Sequence, residues 1–191
     1  KIAIVHDWIT NIAGDVRVLK ALHEMYPDAP IYCLFYNKKF TNEFLPKARI
    51  VSRFKFKSLK FALPFLPMTI ESLDLSEYDL VISTGSIFSK GLILRPQTRH
   101  IYYCNSPARQ VWDLSHDYRH KIFQHFFRIW DRHASTRVDE YVAISDHVEK
   151  RIEKYYRRKA QVIYPPVTGA RFEVLGSRTF NLEPNPYLIV S

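Results

Sequence analysis

Three residues near the start of the chain are of types that could do chemistry. His6, Asp7 and Trp8 directly follow an apolar run at residues 2–5. An imidazole next to a carboxylate could serve as a proton-transfer pair. Neighbouring residues of an extended chain point to opposite sides, so adjacency does not imply a hydrogen bond between them. We therefore favour a structural or substrate-positioning role for His6 and Asp7 over general acid and base work.

The loop after these residues is a candidate phosphate site. It leads from Trp8 to Asp15 and into a helix that the apolar spacing predicts for residues 14–25. Free backbone N–H groups and the helix dipole favour a phosphate at such a helix start. The loop has neither the GxGxxG nor the P-loop pattern, so Gly14 could equally serve only to form the turn.

Other catalytic patterns are missing from the sequence. It contains no GxSxG, HExxH or Cys/His nucleophile pattern, which leaves a hydrolase interpretation without support. The two cysteines, Cys33 and Cys104, lie in apolar runs without CxxC spacing or a nearby His cluster. This placement favours two buried free thiols over a disulfide and predicts no metal site.

The chain is strongly basic, with 28 Lys and Arg against 19 Asp and Glu and a formal charge of +9. Such a charge favours a polyanionic partner. Basic and aromatic residues alternate most densely at residues 53–67, where the cations are Arg53, Lys55, Lys57 and Lys60. This segment fits an anionic membrane surface, and a core helix with a solvated basic edge explains it equally well. Nucleic acid fits less well, because no recognised binding module accompanies the charge.

Predicted strands and helices alternate along the chain and would position these residues. Short apolar runs predict strands at residues 2–5, 31–36, 49–52, 79–83, 100–104, 141–144 and 161–164. Helices are predicted at residues 14–25, from 109 to about 137, and from an N-cap at Ser145-Asp146 to about 156. Apolar runs without alternation are typical of parallel strands covered on both faces. We predict a doubly wound, mainly parallel α/β sheet, with ligands outside the carboxyl ends of its strands.

The helix predicted for residues 109–137 carries an apolar stripe. Its spacing is that of a helix facing a core. We therefore predict packing inside the protein, rather than a ligand site, for Ile122, Phe123, Phe126, Phe127 and Trp130.

The length of 191 residues suits one domain with a single core. Residues 1–167 are predicted to form this domain, and the polar residues 168–186 a linker. Residues 187–191 begin with another apolar run, which we interpret as the first strand of a second domain; an added edge strand of the same sheet is the alternative. No run approaches the roughly 20 apolar residues of a membrane-spanning helix, which predicts a cytoplasmic protein, soluble or peripheral on the membrane.

Six strings along the chain carry a family resemblance. HDW at residues 6–8, AGDVRVL at 13–19 and YDLVIS at 78–83 occur in that order. They are followed by YYCNSPARQVWDLSHDY at 102–118, WDRHASTRVDEYVAIS at 130–145 and VIYPPV at 162–167. The ordered set resembles the family 4 glycosyltransferases, in particular their bacterial mannosyltransferase-like branch.

This resemblance implies a GT-B fold, in which two Rossmann-like halves flank the reaction cleft. In such enzymes the N-terminal half binds mainly the acceptor and the C-terminal half mainly the nucleotide sugar. The chain then corresponds to the N-terminal half. The resemblance further implies a reaction that retains anomeric configuration and uses no metal or other cofactor. The implied partners are a nucleotide sugar, such as GDP-mannose or a UDP-hexose, and a lipid-linked or glycan acceptor.

The resemblance also assigns residues to the site. Ala13 and Gly14 correspond to the Gly-rich loop that approaches the donor diphosphate, although Ala13 replaces a glycine of the family. Asn105 stands where the family often has His, so that hydrogen bonding to a sugar hydroxyl carries over and a proton-carrying role does not. The residues expected in the acceptor and sugar cleft are His6, Asp7, Trp8, Asn105, Arg109, Trp112, Asp113 and Ser145, and a structural role for Trp112 fits equally well.

From these observations we expect the acceptor domain of a retaining hexosyltransferase, in particular a mannosyltransferase, in surface polysaccharide or glycolipid synthesis. It would act at the cytoplasmic face of the membrane and would be catalytically silent by itself. Two alternatives stay open at this point. One is a non-catalytic binding or interaction module, and the other is an unrelated flavodoxin-like α/β protein.

Overall fold

The computed structural model describes residues 1–11, 14–52, 63–113 and 121–166. In these ranges the chain forms one sheet of parallel strands, in which each strand except the edges pairs with two neighbours. The strands are β1 (Ile2–Ile9), β2 (Ile31–Tyr36), β3 (Ile50–Ser52), β4 (Leu80–Gly85), β5 (Arg99–Cys104), β6 (Glu140–Ala143) and β7 (Ala160–Val162). Their order across the sheet is β3-β2-β1-β4-β5-β6-β7.

The helices lie in the connections between these strands. They are α1 (Gly14–Met25), α2 (Lys38–Phe44), α3 (Leu66–Glu71), α4 (Arg109–Trp112), α5 (Lys121–Ala134) and α6 (Asp146–Tyr156), with short 3-10 turns at Leu63–Phe65 and Ser135–Arg137. Within the ranges given above, no helix is long and apolar enough to cross a membrane.

The sheet is buried on both faces, which explains its apolar strands without alternation. On one face Ile4 and Ile31 pack with Leu19 of α1. On the other face Val5 packs with residues of α3 and of the segment after β4. This confirms the predicted doubly wound α/β sheet, a Rossmann-like fold.

The strand order also decides between two sheet types. Sequential strands run outwards from β1 through β2 to β3, and the chain then returns to place β4 on the other side of β1. This is the order of dinucleotide-binding sheets, whereas flavodoxin-like sheets have the order 2-1-3-4-5. The flavodoxin-like alternative is therefore wrong, and the reversal point between β1 and β4 marks the place where such sheets bind ligands.

Strand β1 is longer than its apolar run predicts. Its pairing continues through His6, opposite Thr84 of β4, and through Trp8, opposite Phe35 of β2. His6, Asp7 and Trp8 therefore lie inside the strand and not after it. The short strand predicted at residues 161–164 is β7, Ala160–Val162. The predicted linker and final strand, residues 168–191, lie outside the described residues.

The helix predicted for residues 109–137 consists of α4, α5 and the turn Ser135–Arg137, with residues 114–120 outside the described ranges. The packing predicted for its apolar stripe is confirmed for Phe127 and Trp130, which contact the core. It is wrong for Ile122, Phe123 and Phe126, which are exposed. Asp131 lies on the inner face of α5, where it pairs with buried Lys90, so the opposite face of the helix, which carries Ile122 and Phe126, points outwards.

Two smaller predictions are confirmed. Ser145 caps α6, since its Oγ accepts a hydrogen bond from the backbone N–H of Val148 at 3.3 Å. Cys33 and Cys104 are buried free thiols, and burial raises the pKa of each to about 12. Neither thiol is therefore a nucleophile at neutral pH.

Candidate functional site

His6 lies at the reversal point between β1 and β4 and is fully buried. Its Nδ1 is 2.8 Å from the carbonyl oxygen of Thr84. A carbonyl only accepts, so Nδ1 carries a proton, and in a neutral imidazole Nε2 is then an acceptor. Nε2 is 3.7 Å from Oδ2 of Asp15, beyond hydrogen-bond range, and has no hydrogen-bond partner among the described residues.

Helix α1 begins beside this imidazole. Oδ1 of Asp15 accepts a hydrogen bond from the N–H of Val16 at 2.9 Å. A Cβ atom built on Gly14 would meet nothing within 4 Å, so packing does not require a glycine there. The charge of Asp15 opposes a diphosphate directly at this helix start. Ala13, the other residue of the predicted diphosphate loop, lies outside the described residues, and the diphosphate contact stays a prediction.

Asp7 has a different environment on the opposite face of the sheet. Its two carboxylate oxygens accept hydrogen bonds from four consecutive backbone N–H groups, at distances from 2.6 to 2.9 Å. The donors are Ser86, Ile87, Phe88 and Ser89. Asp7 thereby shapes the loop after β4, which borders the reversal point. Its carboxylate forms none of these hydrogen bonds with the imidazole of His6.

Asn105 is brought to the same place from β5. Its Nδ2 donates to Oγ1 of Thr84 at 3.4 Å, and its backbone N–H donates to the carbonyl oxygen of Gly85 at 3.1 Å. Thr84 thus contacts both Asn105 and His6. His6 and Asn105 are thus linked through Thr84, and Asp15 lies beside His6. We call these three residues, at the carboxyl ends of the strands, the crevice.

A family model describes most of the chain. The model of Glycosyltransferase Family 4 matches residues 16–171. The chain belongs to this glycosyltransferase family. The match and the Rossmann-like sheet together agree with the N-terminal half of a GT-B glycosyltransferase. No curated protein matches the chain.

The match spans Asn105, Arg109, Trp112, Asp113 and Ser145 and begins after His6, Asp7 and Trp8. In this family 4 domain Trp8 packs between Phe35 and Phe88, at ring-centroid distances of 5.6 and 6.2 Å. Its surroundings are apolar core. Arg109 is exposed at the start of the short helix α4, and Ser145 is occupied as the cap of α6.

Trp112 and Asp113 form a second cluster of the family 4 domain, away from His6. Trp112 donates through Nε1 to Oδ2 of Asp131 at 2.8 Å and stacks on Tyr155 at 4.8 Å. Asp113 accepts from the Tyr155 hydroxyl at 2.7 Å and pairs with Arg151. The hydrogen bond to Asp113 raises the pKa of Tyr155. Arg151 also donates to Oγ of Ser106 at 2.7 Å, which ties this cluster to the end of β5.

Sequence reasoning missed the buried pair that supports Trp112. Nζ of Lys90 lies 2.5 Å from Oδ1 of Asp131, and both side chains are fully buried. Lys90 also lies over the rings of Trp130 and Tyr156. The sequence signal for this pair was Asp131, an acidic residue in a helix whose other residues are mostly basic or apolar. No pattern could identify Lys90 as its partner, because the two are distant in sequence.

A serine and a histidine also meet inside the sheet. Oγ of Ser83 is 2.7 Å from Nε2 of His100, and burial lowers the pKa of His100 to about 4. Both residues are buried and bonded to each other, and His100 is the second residue of β5, at the opposite end from the carboxyl ends of the strands where such sheets bind ligands. Among the described residues, no three His, Cys, Asp or Glu side chains are grouped as a metal site requires.

Proposed function

We propose that this chain is the acceptor-binding domain of a retaining hexosyltransferase that uses a nucleotide sugar, such as GDP-mannose or a UDP-hexose. A donor-binding domain would complete the catalytic site, and the domain alone would not transfer sugar. The acceptor would be a lipid-linked or glycan intermediate of surface polysaccharide or glycolipid synthesis at the cytoplasmic face. The family match supports glycosyl transfer. The polar groups of the crevice support acceptor binding, the part of the reaction that we assign to this chain.

The observation that carries the proposal is that Nε2 of His6 has no hydrogen-bond partner in the part of the chain that the structure describes. A buried acceptor without a hydrogen bond costs about 1–3 kcal/mol. A bound water or a ligand can supply the missing partner of such a group. Because Nδ1 is fixed on the Thr84 carbonyl, Nε2 is aimed towards Asp15 at the start of α1. Nε2 itself is buried, so a sugar hydroxyl would reach it as the Asp15 carboxylate, which is 3.7 Å away and 26% exposed, moves aside.

The other groups of the crevice also suit a sugar. A sugar hydroxyl both donates and accepts, so it needs neighbouring acceptors and donors. Asp15 supplies carboxylate acceptors, and the amide of Asn105 supplies both a donor and an acceptor. Three such groups from β1, α1 and the end of β5 would fix the orientation of a polyol. The same groups offer no cation to a phosphate, which favours the acceptor over the donor diphosphate as their ligand.

The test is a transfer assay on the whole protein that carries this chain. Radiolabelled GDP-mannose and UDP-glucose would be offered with a lipid extract, and labelled lipid or glycan would be separated and its anomeric configuration determined by NMR. We expect transfer from one donor with retained configuration, and none from the isolated chain. Inverted configuration, or no transfer from any nucleotide sugar to any acceptor, would contradict the proposal.

A further inference from the structure

One face of α5 exposes apolar side chains that the core does not need. Ile122 is 77%, Phe126 65% and Ile129 54% exposed. Their spacing of four and three residues places them on one stripe of the helix, which we call the α5 stripe. The opposite face buries Gln124 and Asp131. The helix is therefore amphipathic with its apolar stripe towards the outside.

A basic groove runs beside the α5 stripe and shares Ile129 with it. Its volume is about 510 Å³, and it is lined by Trp112, Thr136 and the basic or titratable side chains of His125, Arg128, Arg132 and His133. The lining contains no carboxylate. Arg128 donates to the carbonyl oxygen of Val111 at 2.8 Å through Nη2, and Arg132 donates to that of Tyr155. These bonds hold both guanidinium groups at the groove.

The charges of α5 all favour an anionic partner. The acidic residue of this helix is Asp131, which is fully buried and neutralised by Lys90. The exposed part of α5 therefore carries Lys121 and the cations of the groove without a competing carboxylate. An apolar stripe with a basic flank is the pattern of helices that lie in the headgroup region of anionic membranes.

We propose that α5 docks this domain on an anionic lipid surface. The α5 stripe enters the boundary between headgroups and acyl chains, and the basic groove receives lipid phosphate groups. Insertion removes the exposed apolar side chains from water, and the cations gain from the negative surface potential. This docking surface contains neither His6 nor Asn105, so it is separate from the crevice. Arg53, Lys55, Lys57 and Lys60, the cations of the segment that the sequence suggests for membrane contact, are outside the described residues.

The first test is co-sedimentation of the full chain with sucrose-loaded vesicles. We expect binding to equimolar phosphatidylglycerol and phosphatidylcholine, and much weaker binding to phosphatidylcholine alone. Phe126→Ser should lower the partition coefficient on the order of tenfold, because one large apolar side chain no longer inserts. The triple variant with Ile122→Ser and Ile129→Ser should abolish binding. The matched control is Met25→Ser, which changes an equally exposed apolar residue at the end of α1 and should bind as the wild type does.

A second pair of variants tests the charge. Lys121→Glu and Lys38→Glu each reverse an exposed lysine at the first residue of a helix, where a carboxylate is favourable for the fold. We expect Lys121→Glu to lower binding to the anionic vesicles about fivefold, and Lys38→Glu to leave it close to the wild-type value. Circular dichroism would verify that every variant remains folded.

Three results would overturn the proposal. One is equal vesicle binding by the triple variant and by Met25→Ser. Another is binding that does not distinguish anionic from neutral vesicles. The third is an absence of binding to the anionic vesicles. If sedimentation velocity then shows a dimer that the triple variant converts to a monomer, the α5 stripe contacts a second copy of the chain instead.

Discussion

The carboxylate of Asp7 occupies the place of a side chain on Gly85. A Cβ atom built on Gly85 would lie 2.6 Å from Oδ2 of Asp7 and 2.7 Å from Oγ of Ser89. Gly85 also has a φ of +153°, a backbone conformation that residues with a side chain rarely adopt. The close approach lets Asp7 of β1 accept the four N–H groups of the loop after β4. Two neighbouring strands thus build the border of the crevice together.

Gly85→Ala should destabilise the domain strongly. The added methyl group forces Asp7 out of its four hydrogen bonds and strains the backbone, at a cost of about 2–4 kcal/mol. Gly14→Ala is the matched control, because a Cβ atom there meets nothing within 4 Å. Urea unfolding of both variants measures the effect. A Gly85→Ala variant as stable as Gly14→Ala would show that Asp7 does not hold this loop.

The buried imidazole of His100 predicts a loss of stability in acid. Burial lowers its pKa from 6.5 to about 4, so the folded protein keeps it neutral where the unfolded chain takes up a proton. The free energy of unfolding should therefore be highest above pH 6.5 and fall between pH 6.5 and pH 4. The contribution of His100 at pH 5 is a loss of about 2 kcal/mol.

Unfolding of the wild type and of His100→Gln at pH 8 and pH 5 isolates this contribution. Glutamine can still share a hydrogen bond with Ser83, as donor or as acceptor, but does not titrate. We expect the wild type to lose more stability than the variant over this interval. Identical losses in both proteins would rule out His100 as the source.

The fold could be read from the sequence because its signals are local. The apolar runs of β2 and β5 are covered on both faces and bounded by polar residues, and the Ser145 cap acts within one turn. The end of β1 could not be read in this way. Its pairing with Phe35 and Thr84 depends on neighbouring strands, and a polar His6-Asp7 pair inside a strand interrupts the apolar signal.

The site could be read only in part, for a related reason. The sequence indicates His6, Asp7 and Asn105 as polar residues near strand ends, but their partners come from other elements. Asp7 contacts a loop some 80 residues away, and Lys90 meets Asp131 through the tertiary fold. The outward stripe of α5 was missed for the same reason. Its apolar spacing is that of a core helix, and only the tertiary contact between Asp131 and Lys90 shows which face of the helix points inwards.

Removing one charge of the Lys90–Asp131 pair should destabilise the fold more than removing both charges together. Lys90→Met leaves a buried carboxylate without its cation and should cost about 3–5 kcal/mol. Adding Asp131→Asn removes that charge and keeps an oxygen for the indole N–H of Trp112, so about 2 kcal/mol should be regained. Urea unfolding of the single and double variants forms the cycle. Additive losses in the double variant would contradict a direct interaction.

If the crevice holds the sugar acceptor through His6, sugar transfer by the whole protein depends on this imidazole, and the variant His6→Asn tests that dependence. The asparagine amide can replace the Nδ1 bond to Thr84 but has no atom at the Nε2 position. The control is His23→Asn. It changes a buried histidine in the last turn of α1, at the opposite end of the helix from Asp15. We expect kcat/KM to fall about tenfold to a hundredfold in a folded His6→Asn protein, and wild-type transfer by His23→Asn. Wild-type kcat/KM in a folded His6→Asn protein would contradict that dependence.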